Sequence, residues 1–152
     1  MTSSTPDRLP AVHVVDQNGT GHQLSALLTA PRTALFFLRA PSCPVCLGHA
    51  RKLLAAQQEL GISVVLVTPG GAADAAAVRK RTRAGDAVAV VASGEAHELL
   101  GMPKRMMLQH SGTILADADG RVLYSRTAAV PTGSYDHAEL VEAVRAAKRR
   151  AA

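Results

Sequence analysis

Three short runs of the chain are apolar on almost every position. They are Thr33-Ala-Leu-Phe-Phe-Leu-Arg39, Ile62-Ser-Val-Val-Leu-Val67 and Ala87-Val-Ala-Val-Val91. Runs of this length without polar alternation read as strands buried on both faces, the pattern of a parallel sheet. The segments between them change period. From Pro44 to Leu60 the apolar positions Cys46, Ala50, Leu53 and Leu60 recur at close to helical spacing, with Leu47 and Leu54 beside them. Gln57 interrupts that stripe, and Gly61 provides a stop. Ala72 to Arg83, after the breaker Pro69-Gly70-Gly71, reads as a second, Ala-rich helix, and Gly94 to Leu100 as a short one ended by Gly101.

The flanks are simpler. Leu9 to Val15 reads as a strand entering a turn at Asp16–Gly21, and Leu24 to Leu28 as a helical turn ended near Pro31. Thr113–Asp117 and Arg121–Ser125 alternate about Asp119-Gly120, a strong hairpin signal. A closing helix starts near Asp136. Asp136 can cap it while Glu139 reaches back, and Leu140, Val141 and Val144 face inward. Strand–helix–strand–helix–strand followed by a hairpin and a helix predicts an α/β sandwich with a parallel centre and an antiparallel edge. All of 1–152 is read as one domain, with 1–8 and 148–152 as flexible tails.

Composition narrows the function classes. Apolar residues make up 47 % and charged residues 19 % of the 152, an ordinary globular balance. The net charge of +5 comes from Arg79–Arg83, Lys104-Arg105 and Lys148–Arg150. No aromatic residues interleave with these cations as nucleic-acid stacking would require, so they read as solvated helix faces, and no nucleic-acid partner is expected. No stretch has the length of a membrane span, and residues 1–8 lack the apolar core of a secretory signal, so a cytoplasmic protein is expected.

The chain has two cysteines, and they lie together in Cys43-Pro44-Val45-Cys46, where the first apolar strand gives way to the helical pattern. Pro44 suits the first position of a helix, where a missing N–H costs nothing. A thiol at a helix N-terminus has a lowered pKa, so the arrangement reads as a redox dithiol, with Cys43 expected to be the more exposed and more reactive sulfur. Arg39, just before the loop, can help electrostatically or simply face solvent. His49, one turn beyond Cys46, can relay a proton or simply pack. Cys43, Cys46 and His49 could also supply three metal ligands, but no second ligand pair at finger-like spacing is apparent. Covalent haem is excluded, because Leu47 stands where the motif needs His. A redox sensor whose disulfide only switches its surface remains a further reading. No metal and no cofactor is expected.

The order of elements, with the dithiol after the first central strand, resembles the thioredoxin fold. Leu35–Arg39 with Cys43–Cys46, Val65–Gly70, Ala116–Arg121 and Pro131–Asp136 are similar to the peroxiredoxin branch, the AhpC/TSA-type proteins that carry a CxxC. The likeness runs from residue 9 to residue 145. It implies a thioredoxin-like sandwich, a central mixed sheet with helices on both faces. It implies reduction of a hydroperoxide, or else of a protein disulfide, through a Cys43–Cys46 disulfide that an external dithiol such as thioredoxin restores. It also leaves room for a homodimer. The usual peroxiredoxin site reads Pro-x-x-x-Thr-x-x-Cys. Laid on this chain, Cys46 takes the peroxide-reacting position, Cys43 replaces Thr and Arg39 replaces Pro. The family's later Arg falls near Ser111, which leaves Arg39 or Arg105 as substitutes. Thr113 stands where thioredoxins have a cis-Pro and peroxiredoxins a Thr. By the resemblance Cys46 attacks; by helix geometry Cys43 does.

Overall fold

The computed structural model describes residues 6–151 apart from 95, 98–101, 103 and 106–107, with 104, 105 and 108 as backbone only. A seven-stranded mixed sheet, ordered β2-β1-β5-β4-β3-β8-β9, runs through the molecule. Its centre is β3 (Arg32–Phe37), β4 (Ser63–Thr68) and β5 (Ala89–Ala92), which pair in parallel. Antiparallel pairs close both sides. The hairpin β8 (Ser111–Asp117) and β9 (Val122–Ala128) adds to β3, while β1 (His13–Asp16) and β2 (Gly21–Gln23) add to β5. β6 (Lys104–Arg105) and β7 (Leu108–Gln109) form a separate two-stranded ribbon.

The apolar runs work as expected from their period. Alternate residues of β3 divide between two cores: Ala34 and Phe36 join one, Leu35 and Phe37 the other. The first core receives α1 (Pro44–Leu60), α2 (Ala72–Thr82) and α3 (His137–Ala151). The second is covered by Leu9, Val12, Leu24 and Leu28 from the N-terminal segment and by Met102. A 3-10 turn at Leu24–Leu27 and helical residues at 96–97 lie on that side. Two consecutive parallel crossovers, β3–α1–β4 and β4–α2–β5, step in the same direction across the sheet, and such crossovers share one hand. That is why α1 and α2 share a face.

Several local expectations are corrected. Gly21–Gln23 is a strand, although its sequence is polar and Gly-rich; backbone pairing with His13–Val15 suffices at an edge. On α1 the buried stripe continues through Ala56, and Gln57 lies beside it half-buried. Over the residues described, both ends make contacts with the body of the fold. Arg8 bridges to Arg121, and the Asp7 carbonyl accepts from the Val122 amide. Residues 148–151 continue α3, with Lys148 Nζ donating to the Leu60 carbonyl at 3.1 Å. Asp136 does cap α3, accepting from the Glu139 amide at 2.9 Å. Glu139 itself does not reach back. Its carboxylate takes hydrogen bonds from Tyr124 and Arg126 on β9, both at 2.7 Å. The short helix read over 94–100 lies largely outside the described residues.

Candidate active site

The carboxyl end of β3 delivers the chain into the loop that leads to α1. Pro44 is the first residue of that helix, as its fixed φ and missing N–H favour. Cys43 is the N-cap. Its Sγ accepts a hydrogen bond from the Cys46 amide at 3.4 Å, the role that a Ser or Asp oxygen usually fills. Cys46 Sγ in turn accepts from the Arg39 amide at 3.4 Å. Each sulfur therefore has a backbone N–H directed at it, and both cysteines are free thiols. The loop is braced from α2, where Arg81 donates to the Pro41 carbonyl at 2.8 Å. The Arg81 carbonyl accepts from Arg51 of α1. Arg81 is thus a backbone tie and not merely one of the solvated cations that the charge pattern suggested.

The expected exposure of Cys43 is not found. Cys43 is 3 % exposed and Cys46 fully buried, because the capping geometry turns the Cys43 sulfur over the first turn of α1 and into the core beside Phe36. What separates the two thiols is their surroundings. Burial pushes the Cys43 thiol up, yet hydrogen bonds from Cys46 and the neighbouring Arg39 guanidinium outweigh it and hold Cys43 below its ordinary value. Cys46 has fewer compensations. Burial pushes it up to about 12, and the negative charge that Cys43 carries as a thiolate adds to the effect. The pair is polarised: one sulfur ionises readily, and its neighbour holds a proton.

The remaining candidates fall into different roles. Arg39 is half-buried, with its backbone on Cys46 and its side chain on Cys43. His49 Nε2 lies 3.1 Å from the Pro131 carbonyl and must carry the proton there. Its ring packs edge-on to Phe36 and tilted to Tyr135. Burial lowers its pKa, so it is neutral at neutral pH. Thr113 pairs with Phe36 across β8 and β3, and its hydroxyl donates to the Ser134 carbonyl at 2.9 Å. There it ties the sheet to the 3-10 turn at Pro131–Gly133. No cis peptide occurs among the described residues. Ser111 is buried at the head of β8 and offers no cation. The Arg105 side chain lies outside the described residues. Among the described residues, no three His, Cys, Asp or Glu side chains converge as a metal site would require.

Residues 5–144 match the Redoxin family. The chain belongs to it. No curated protein matches the sequence. Solved structures share the redoxin's fold at low identity. The peroxidoxin BcpB of Mycobacterium tuberculosis superposes with a TM-score of 0.72 at 22 % identity, over 96 % of this chain and 98 % of that one. A peroxiredoxin-like protein of Aquifex aeolicus gives 0.75 at 15 %, over 97 % and 89 %. Prx3 of Vibrio vulnificus, solved in complex with H2O2, gives 0.74 at 16 %, over 93 % and 98 %. Family and fold together make this redoxin a thioredoxin-like oxidoreductase of peroxiredoxin type.

Proposed function

We propose that this redoxin reduces hydroperoxides at Cys43 and Cys46, with Cys43 as the attacking thiolate. The supporting observation is the polarisation of the pair: Cys43 held low by Arg39 and the helix amide, Cys46 held high by burial. The Cys43 thiolate attacks one peroxide oxygen, the O–O bond breaks, and the departing oxygen takes a proton to leave as an alcohol or water. Cys43 is then a sulfenic acid. Cys46 loses its proton, attacks the Cys43 sulfur and expels hydroxide as water, leaving a Cys43–Cys46 disulfide. Two electrons from an external dithiol of the thioredoxin class restore the thiols by exchange. Arg39 steadies the first thiolate through charge, while His49 and Thr113 hold the walls of the site through Pro131 and Ser134.

The test is a reductant-coupled assay of wild type, Cys43→Ser and Cys46→Ser, offering a hydroperoxide and a model protein disulfide side by side. Both variants should lose at least a hundredfold of peroxide turnover while keeping the wild-type circular dichroism, an order typical of losing a covalent catalyst. Cys46→Ser should still be oxidised once at Cys43. Undiminished peroxide turnover in both variants would end the proposal. Turnover of the protein disulfide alone would move the activity to a disulfide reductase, in which the same Cys43 thiolate attacks sulfur in place of oxygen.

A further inference from the structure

One buried polar chain lies behind the dithiol and reaches it through the backbone. His97 is fully buried on the side of the sheet away from α1, its ring edge-on to Phe37 at 5.2 Å between centroids. Its Nε2 lies 3.1 Å from the Leu38 carbonyl. A carbonyl can only accept, so Nε2 carries the proton and Nδ1 is the acceptor. Nδ1 is 2.8 Å from the hydroxyl of Ser93, itself buried at the end of β5. Burial lowers the His97 pKa to about 4, so the ring is neutral and this tautomer holds at neutral pH.

The peptide group that begins with the Leu38 carbonyl ends with the Arg39 N–H, and that N–H is the donor to Cys46 Sγ. The groups form a series: Ser93 hydroxyl, His97 imidazole, Leu38–Arg39 peptide, Cys46 sulfur. Every donor points toward the sulfur. Hydrogen bonds in series polarise one another, most strongly where water is absent. A ring hydrogen bond on the carbonyl makes the same peptide's N–H a better donor. It also fixes the rotation of the peptide plane, on which the aim of that N–H depends. Arg39 thus reaches Cys46 by its main chain, and the strength of that contact is set from the opposite face of the sheet.

We propose that His97, oriented by Ser93, is a positioning residue that aims and polarises the Leu38–Arg39 peptide so that its N–H stabilises the Cys46 thiolate. Resting on the dithiol reading, it assigns a means by which the deeply buried Cys46 ionises when it resolves the Cys43 sulfenic acid. His97 touches neither sulfur nor substrate.

The test reads Cys46 alone and needs no peroxide. In full-length Cys43→Ser protein Cys46 is the single thiol, and its ionisation is followed by thiolate absorbance against pH. His97→Leu should raise the midpoint by about one pH unit, the size expected from weakening one hydrogen bond to a thiolate. Where the midpoint lies above the onset of alkaline unfolding, the rate of iodoacetamide labelling at Cys46 below that pH reads the same shift and should fall about tenfold for one pH unit, an unchanged rate counting against the proposal. His97→Gln, whose amide can still donate to the Leu38 carbonyl, should restore most of the wild-type value. Ser93→Ala, which leaves the ring in place but unoriented, should shift the midpoint in the same direction by less. It serves as the deciding variant if His97→Leu does not fold. A lowered melting temperature with unmoved midpoints would make His97 a packing tie and overturn the proposal. Failure of the dithiol reading would appear elsewhere, as a wild-type enzyme that turns over no hydroperoxide.

Discussion

At the scale of single residues, Arg39 illustrates how little a residue type says before its two ends are placed. Its main chain serves one sulfur and its guanidinium the other. The two functions separate cleanly by mutation, because Arg39→Ala removes the side chain and keeps the amide. The guanidinium helps the Cys46 hydrogen bonds to lower the Cys43 thiol, so its loss should raise that thiol's pKa. Thiolate is the reactive form, so alkylation of Cys43 at neutral pH should slow about tenfold for every pH unit by which the midpoint rises. The rate profile should move to higher pH while its alkaline plateau is unchanged. Rates of iodoacetamide labelling from pH 5 to pH 10, read by mass at each cysteine, check this; a profile that stays in place would remove Arg39 from the site.

The same residues mark how far the site could be read from the sequence. Cys43 at a helix start followed from the spacing of Pro44 and the apolar stripe, because capping is a local property. Its burial did not, since burial depends on the core around Phe36 of β3 and on a loop braced from α2 by Arg81, contacts that no local pattern encodes. His97 was missed for the same reason. Ser93 and His97 lie four residues apart with no apolar period, and their partner Leu38 is 59 residues away.

Among the elements, the strands of the centre were legible because burial on both faces demands unbroken apolar runs. The edges were not. β2 is Gly-His-Gln, and the ribbon β6–β7 has two residues a side, so neither carries a pattern. The β8–β9 hairpin was expected from Asp119-Gly120, and it extends further than its alternation, to Ser111 and Ala128. One residue shows what holds the hairpin close. A Cβ on Gly112 would meet the Arg126 carbonyl at 2.3 Å and the Thr127 Cα at 3.0 Å, backbone atoms that cannot step aside. Gly112→Ala should therefore cost about 1–3 kcal/mol, as overpacking does. Urea unfolding should show the loss. The neighbouring Thr113–Ser134 tie gives it a functional side, so peroxide turnover should fall with it. A variant as stable as wild type would mean the two strands yield freely.

Across the whole molecule, the last residues return to the first helix of the site. Lys148 of α3 places its ammonium on the Leu60 carbonyl at the C-terminus of α1, where a cation also meets the negative end of the helix dipole. α1 is thus fixed at one end by the cysteines and at the other by the chain terminus. Lys148→Ala should cost about 1 kcal/mol, the scale of a half-exposed charged hydrogen bond. Lys148→Arg should recover part of it, and thermal melts compare the two. Equal stability of the Ala variant would show the contact to be idle. The Lys-Arg-Arg run reads in the sequence as solvated charge, and only the fold reveals that Lys148 reaches the Leu60 carbonyl and that Arg149 pairs with Glu142 at 3.1 Å.

Most helices begin on an inert oxygen, but α1 begins on the sulfur that the proposed mechanism oxidises and restores. A sulfur committed to a bond with oxygen or with its neighbour is a poorer acceptor than a thiolate, so on that mechanism oxidation is expected to loosen the first coil of the helix and reduction to rewind it. The amide of Cys46 should exchange its hydrogen with solvent faster in the oxidised protein, which deuterium uptake can follow; identical protection in both forms would refute the idea. Through that amide a passing reductant could tell a spent molecule from a fresh one by shape as well as by chemistry.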